Sequence, residues 1–279
     1  MPAHTTHVNL SPAAIRSFRQ KIYRYYHKHG RALAWRKTRN PYCILISEIM
    51  LQQTQVERVR QKYPQFIAAF PDFKTLAKAP LRKILQVWQG MGYNRRALFL
   101  KKIAEAVVEK FNGRLPRTIE ELMTLPGIGK NTAASILAFA FNKQVAFIET
   151  NIRSVFIHCF FQDLNDVNDR EILPLVEKTL DSKNSREWYN ALMDYGVMLK
   201  KNHPNPSRKS AHHQRQGKFE GSNRQVRGMI IKAITGNPLI TVSALIKQFD
   251  IPAQKVKDNL AQLQREGFIK RTGKKLSIA

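Results

Sequence analysis

The chain has 279 residues, enough for one large or two modest domains, and its 47 Lys plus Arg against 20 Asp plus Glu give a formal net charge of +27. A chain this basic is expected to attract a polyanion, and double-stranded nucleic acid is the densest one, although ribosomal or membrane-surface binding would use the same charge. No apolar run of about 18 residues is present to span a bilayer, the opening MPAHTTHVNLSP lacks the apolar stretch of a secretory signal, and Cys43 and Cys159 alone make no disulfide framework, so a cytoplasmic setting away from membranes is expected.

About 200 residues then read as predominantly helical, with no internal repeat. Pro41 starts a helix carrying the apolar run 43–50. Within ILISEIMLQQTQ, Glu48, Gln52 and Gln55 fall at i, i+4 and i+7 and share one polar stripe. That stripe faces solvent in one reading. In the other it faces a cleft, where desolvation favours the protonated carboxyl and makes Glu48 a usable proton donor. Short helices are expected over 74–79 and 81–88, separated by Pro80. A longer one over 94–111 has Ala104, Val107, Val108 and Phe111 at core spacing and Gly113 as its stop.

Thr118 and Glu121 form a capping box for the next helix, which ends at Leu125. Residues 125–133, LPGIGKNTA, then turn the chain. Pro126 fixes φ, Gly127 and Gly129 open conformations closed to other residues, and a second helix starts near Lys130, burying Ala133, Ile136, Leu137 and Ala140. Backbone amides at such a turn make an anion site without side chains; the plainer reading is an αα-hairpin with a tight glycine turn. In AFIETNIRSVF, Thr150 or Asn151 is expected to cap a helix beginning near Ile152, which leaves Glu149 beside a helix N-terminus that favours an ionised carboxylate. One carboxyl kept protonated and another kept ionised is the division of labour that glycosidic bond cleavage uses.

From 200 to 223 the sequence KKNHPNPSRKSAHHQRQGKFEGSN has almost no aliphatic residues and reads as a linker or an exposed basic loop. His203, His212 and His213 lack a carboxylate or thiolate to complete a metal set, so no metal site is expected there. The tail shows helical patterns at 224–233, 243–249 and 252–267, then two short apolar stretches around Gly273 as a hairpin turn. Three helices plus a small ribbon is the winged-helix plan. The tail's net charge of +8, from eleven basic and three acidic side chains, favours nucleic acid, with protein contact as the alternative use.

The stretches RALAWRKTRNPY, SEIMLQQTQV, GMGYNRRA, LPGIGKNTAA, ETNIRSV and ALMDYGVM, taken together and in this order, resemble the helix–hairpin–helix DNA glycosylases, most closely the MutY adenine glycosylase branch. The resemblance covers residues from about 31 to 199. It implies an all-α, two-lobed glycosylase domain (1–202) with its active site in the cleft between lobes; the patterns read above add a basic linker (203–222) and a small winged-helix domain (223–279). It also implies a cytoplasmic, nucleoid-associated monomer acting on double-stranded DNA with a mismatch or damaged base.

Carried over by position, Glu48 matches the family's catalytic acid, Glu149 the carboxylate that stabilises the sugar cation, and Asn151 a neighbouring active-site residue. Arg31, Trp35, Asn131 and Asp194 match base-pocket positions. Gln53 and Tyr93 match residues inserted into the duplex, while Gly127, Gly129 and Lys130 belong to the phosphate-binding hairpin. A monovalent cation on the carbonyls of Met123, Leu125 and Ile128 is also implied. Strand-cleaving members carry Lys where this chain has Asn131, and Asn cannot form a Schiff base, so a monofunctional enzyme is expected. Lys130, one position off on a helix, points about 100° away.

Three departures stand out. Glu149 replaces the usual Asp, adding one methylene and shifting the carboxylate by about an ångström. The usual iron–sulfur cluster needs four cysteines, and none lies between 199 and 279, so no cofactor is expected. A winged helix also stands where the family reads 8-oxoguanine. The implied activity is release of adenine opposite G or 8-oxoguanine; the alternatives are release of T or U opposite G, or a non-catalytic DNA-binding protein.

Overall fold

A computed structural model describes residues 10–214 and 217–279. The opening residues 1–9, part of the stretch read for a signal, and residues 215–216 of the expected linker lie outside the described residues. The chain forms two compact units that interleave along the sequence. Residues 10–45, 117–124 and 128–214 make the first, and 46–116, 125–127 and 217–279 the second. No described helix is long and apolar enough to cross a membrane.

In chain order the helices are α1 (Pro12–His29), α2 (Pro41–Leu51), α3 (Val56–Ala69), α4 (Phe73–Lys78), α5 (Leu81–Trp88), α6 (Arg95–Lys110), α7 (Ile119–Met123) and α8 (Lys130–Phe141). They continue with α9 (Thr150–Phe160), α10 (Asp169–Thr179), α11 (Ser185–Asn202) and α12 (Asn223–Gly236). Strand β1 (Ile240–Thr241), helices α13 (Val242–Gln248) and α14 (Ala253–Arg265), and strands β2 (Ile269–Thr272) and β3 (Lys275–Ile278) complete the chain. The fold is therefore mostly helical rather than all-α.

In the first unit α1 and α9 pack on α11. Phe18 meets Phe156, Phe160 and Trp188 with ring centroids at 5.6, 5.1 and 5.8 Å, an aromatic cluster at the core of this unit. Helices α9 and α11 approach closely because Gly196 has no side chain: a Cβ there would lie 2.4 Å from the Asn151 carbonyl oxygen. Part of the stretch read as a linker or exposed loop is packed here instead. Pro206, Ser207 and Ser210 are buried, and Val167 pairs with the segment through its N–H to the Lys209 carbonyl (2.9 Å) and its carbonyl from the Ala211 N–H (3.0 Å).

The second unit is built on Phe66, whose ring lies 5.0 Å from Phe70 and 5.8 Å from Trp88. The tail belongs to this unit. Helix α12 packs on α14, on α5 and on β3, and Arg82 Nε donates to the Thr235 carbonyl (3.0 Å). Glu266 accepts from Arg95 and Arg227 at 2.5 Å each, tying the end of α14 to α6 and α12. The sheet order is β1-β3-β2, all antiparallel. The expected two-stranded ribbon thus gains a third strand, Ile240 opposite Leu276. The hairpin turns at Gly273, with φ +60°.

Candidate active site

Thr118 caps α7, its Oγ accepting from the Glu121 N–H (3.2 Å) and donating to Glu121 Oε2 (2.9 Å), so the two side chains bond each other across the expected box. After the turn α8 begins at Lys130, with Gly129 at its N-cap and no side-chain cap there. Gly127 has φ +78°, and a Cβ on it would sit 2.3 Å from the Phe99 ring, so both its conformation and its surroundings demand glycine. Gly129 is different: a Cβ there meets nothing within 4 Å. Space is left open beside uncapped amides, the arrangement an approaching phosphate requires. Lys130 is exposed, as is Met123, while the side chains of Leu125 and Ile128 are buried to either side of the turn.

Asn131 is exposed at the start of α8 and donates to the Ile148 carbonyl (3.1 Å), touching the segment that leads into Glu149. Glu149 itself caps α9, correcting the expectation of Thr150 or Asn151. Its Oε1 accepts from the Asn151 and Ile152 backbone amides (2.8 and 2.9 Å), and Oε2 accepts from Asn151 Nδ2 (3.0 Å). The longer side chain folds back onto its own helix, and the extra methylene is taken up by this cap. Lys200 joins the same cluster, unanticipated from sequence, with Nζ donating to Asn151 Oδ1 (2.8 Å). Burial pulls the Lys200 ammonium down, partly offset by the charge of Glu149. Lys200 lies one helical turn beyond Gly196 on α11, so the close helix approach is what brings it within reach.

Arg31, Trp35 and Asp194 were expected to line a pocket. Trp35 is buried in a 3-10 turn (Ala34–Arg36), and Asp194 is 2 % exposed. The carboxylate accepts from Arg31 N–H (2.8 Å) and Nε (2.6 Å) and from both Nη atoms of Arg36 (2.8 Å each). Asp194 is thus spent on orienting two arginines, of which the partly exposed Arg31 is the one able to meet a ligand. Burial pushes the Asp194 carboxyl up, but hydrogen bonds and charge from Arg36 and Arg31 outweigh it and leave the pKa below its ordinary 3.8. The stabilisation is complete above 3.8 and is lost as pH falls through the lower folded value. Asp194→Asn should cost about 3–5 kcal/mol in urea unfolding and flatten the acid limb of the stability curve; a variant as stable as the parent would show that the clamp carries no weight.

Glu48 is half-buried on α2, flanked by the buried Leu45, Ile49 and Met50. The polar stripe expected to continue from it does not exist as a helix face. Helix α2 ends at Leu51, Gln52 lies in the following turn and donates to the Gly127 carbonyl (3.5 Å), and Gln55 is the N-cap of α3. Gln53 and Tyr93 occupy two separate turns, and both have left-handed backbones, φ +52° and +47°.

One buried guanidinium holds both turns. Arg96 Nη1 donates to the carbonyls of Ile49 (3.0 Å), Met50 (2.7 Å) and Gln52 (2.6 Å). Its Nη2 donates to Thr54 Oγ1 (2.9 Å) and the carbonyls of Met91 (3.3 Å) and Gly92 (3.1 Å). Burial pulls Arg96 down to about 10. Sequence reading passed over it, although an arginine in register with Leu100, Ile103 and Val107 on an apolar helix face was a legible signal.

A glycine-turned helical hairpin ahead of a carboxylate-capped helix defines a recognisable class of protein. Residues 46–178 match the family described as HhH-GPD superfamily base excision DNA repair protein. The adenine DNA glycosylase of Buchnera aphidicola subsp. Baizongia pistaciae is 41 % identical over 187 residues, covering 65 % of this chain and 52 % of that protein. The thymine/uracil-DNA glycosylase of Methanothermobacter thermautotrophicus is 31 % identical over 186 residues, 65 % of this chain and 84 % of that protein. The solved structure of a thermostable thymine-DNA glycosylase is similar at a TM-score of 0.60 and 30 % identity, over 66 % of this chain and 86 % of that one. The chain belongs to the HhH-GPD superfamily. It spans about half the length of the Buchnera adenine glycosylases it matches.

The family's usual iron–sulfur cluster takes four cysteine ligands, and this sequence has Cys43 and Cys159 alone, both ahead of α11. After α11 the described side chains offer hydroxyl, amide, imidazole and carboxylate groups, with Asn205 Oδ1 accepting from Ser207 N–H (3.1 Å) and Oγ (2.8 Å), and no thiol among them.

Proposed function

We propose that this chain is a monofunctional DNA glycosylase that hydrolyses the N-glycosidic bond of a mispaired adenine, opposite G or 8-oxoguanine. The observation that carries the reading is the Glu149 carboxylate, fixed by three hydrogen bonds at a helix N-terminus. A fixed anion of this kind is what an oxocarbenium-like sugar needs. Glu48 is the proton donor to adenine N7, which turns the base into a better leaving group. Asn131 has no amine to attack the sugar, so the product is an abasic site in an intact strand. The open hairpin amides and the basic surface bind duplex phosphates. The tail, read as a winged helix, binds the same DNA.

The likeness to the Buchnera adenine DNA glycosylase supports adenine. A second reading, release of thymine or uracil opposite G, is favoured by the likeness to the Methanothermobacter enzyme, 84 % of whose length is matched. Single-turnover assays on duplexes carrying A:G, A:8-oxoguanine, T:G and U:G pairs separate the two. Adenine release, with strand scission only after alkali, is the expected result. Release from T:G or U:G alone would transfer the assignment, and release from none would overturn it.

A further inference from the structure

Five side chains of the second unit form a single ladder in which aromatic rings and guanidinium groups alternate. The Arg96 guanidinium lies 5.3 Å from the ring of Trp88 and 5.4 Å from that of Tyr93. Arg224 lies 5.2 Å from the same Tyr93 ring and 5.2 Å from that of Phe219, and it donates a hydrogen bond to the Tyr93 hydroxyl. Each rung is a favourable cation–π contact. Trp88, at the inner end, is fully buried, whereas Phe219, at the outer end, is 57 % exposed.

The turn that carries the outer ring is held by its own hydrogen bonds, and the ring itself by Arg224. Ser222 Oγ and N–H both donate to the Phe219 carbonyl (2.6 and 3.2 Å), and the Gly221 N–H donates to Gln225 Oε1 (2.6 Å). Lys255 Nζ closes the same turn on the Gly221 carbonyl (2.6 Å). The start of α12 therefore presents an aromatic face to solvent at little further cost in ordering. Lys218 and Arg224 lie within the same stretch 217–224, in which Glu220 is the one carboxylate.

We propose that Phe219 is a stacking site for a nucleobase displaced from the duplex at a mispair, so that the C-terminal region takes part directly in lesion recognition. A preorganised aromatic ring in a positively charged setting is the arrangement that binds unstacked bases, because every base offers a π face and the phosphates supply the attraction. A base within an intact stack has both faces covered by its neighbours and cannot use the ring. The site therefore favours a mispaired duplex over a fully paired one. Tyr93, one of the left-handed turn residues, is coupled to it through Arg224.

This inference rests on duplex DNA being the ligand, as proposed above, but needs no base release. The test is equilibrium binding of the full chain to a duplex with an A:G pair whose adenosine carries a non-hydrolysable 2′-fluoro sugar, beside the fully paired duplex. Phe219→Ala should weaken binding to the mispair by about 5- to 150-fold and leave binding to the paired duplex unchanged. Phe219→Trp should restore the mispair preference. Equal loss on both duplexes, or no loss on either, would overturn the proposal, the latter leaving the ring as a protein contact. A selective loss in a chain that releases no base from any mispair would sink the glycosylase reading and sustain this one. Base release by a chain indifferent to Phe219 would do the reverse.

Discussion

Exchanging Glu48 for Gln is expected to slow base release from a mispaired duplex by about 10²- to 10⁴-fold, the range over which a positioned acid contributes. Duplex affinity should be unchanged. Gln keeps the shape and one accepting oxygen of Glu, so the half-buried site beside Leu45, Ile49 and Met50 is not opened. What it lacks is a proton that can be transferred, since a carboxamide N–H is far too weak an acid. The measurement is single-turnover release across a range of pH. The variant should lose most of the rate at every pH tested, whereas the parent keeps it. A pyrimidine leaves without an N7 to protonate, so the size of the Glu48 effect also discriminates adenine from thymine or uracil as the substrate. Equal rates in both proteins would remove Glu48 from the chemistry.

The elements that sequence reading placed well are those whose signals are local. Helix α5 spans residues 81–88 as expected because Pro80 punctuates its start and Leu81, Ile84, Leu85 and Trp88 all turn inward. The hairpin was legible because Gly127 needs a left-handed backbone that few other residues accept. The failures share a different cause. Helix α2 stops at Leu51 where the Arg96 guanidinium takes the carbonyls of Ile49, Met50 and Gln52, and that partner lies more than forty residues away. The segment 206–210 is packed rather than exposed because Val167 pairs with it across a similar distance. Strand β1 has two residues, too few for any period to register. At Glu149 the miss is chemical: Asn and Thr are the commoner caps, and a glutamate long enough to fold back onto its own helix displaced both. Lys200 could be found only once Gly196 had been seen to let α9 and α11 close together.

Arg96→Met should destabilise the second unit by at least ~3 kcal/mol, because five carbonyls and one hydroxyl each lose a partner at once, although Gly92 and Gln52 keep a second donor in Trp88 and Thr54. A domain holds only about 5–15 kcal/mol in total, so this variant sits close to unfolding. Arg96→Lys is the more informative change. It restores a cation at the C-terminal end of α2, where the helix dipole favours one. Yet an ammonium radiates three donors from a single atom and cannot span two turns as the guanidinium fork does. Left-handed residues such as Gln53 and Tyr93 each cost about 1–3 kcal/mol and persist only where their surroundings over-determine them. Loosening the fork should therefore release both at once. Hydrogen exchange on folded Arg96→Lys should accelerate at the amides of 52–54 and 91–94 together, with the core of α6 still protected. Acceleration at one turn alone would mean that each is held by its own local contacts. Because Arg96 also carries the Tyr93 ring, to which Arg224 and Phe219 are stacked in turn, the same substitution should loosen the turn at 217–222 although that segment makes no hydrogen bond to Arg96.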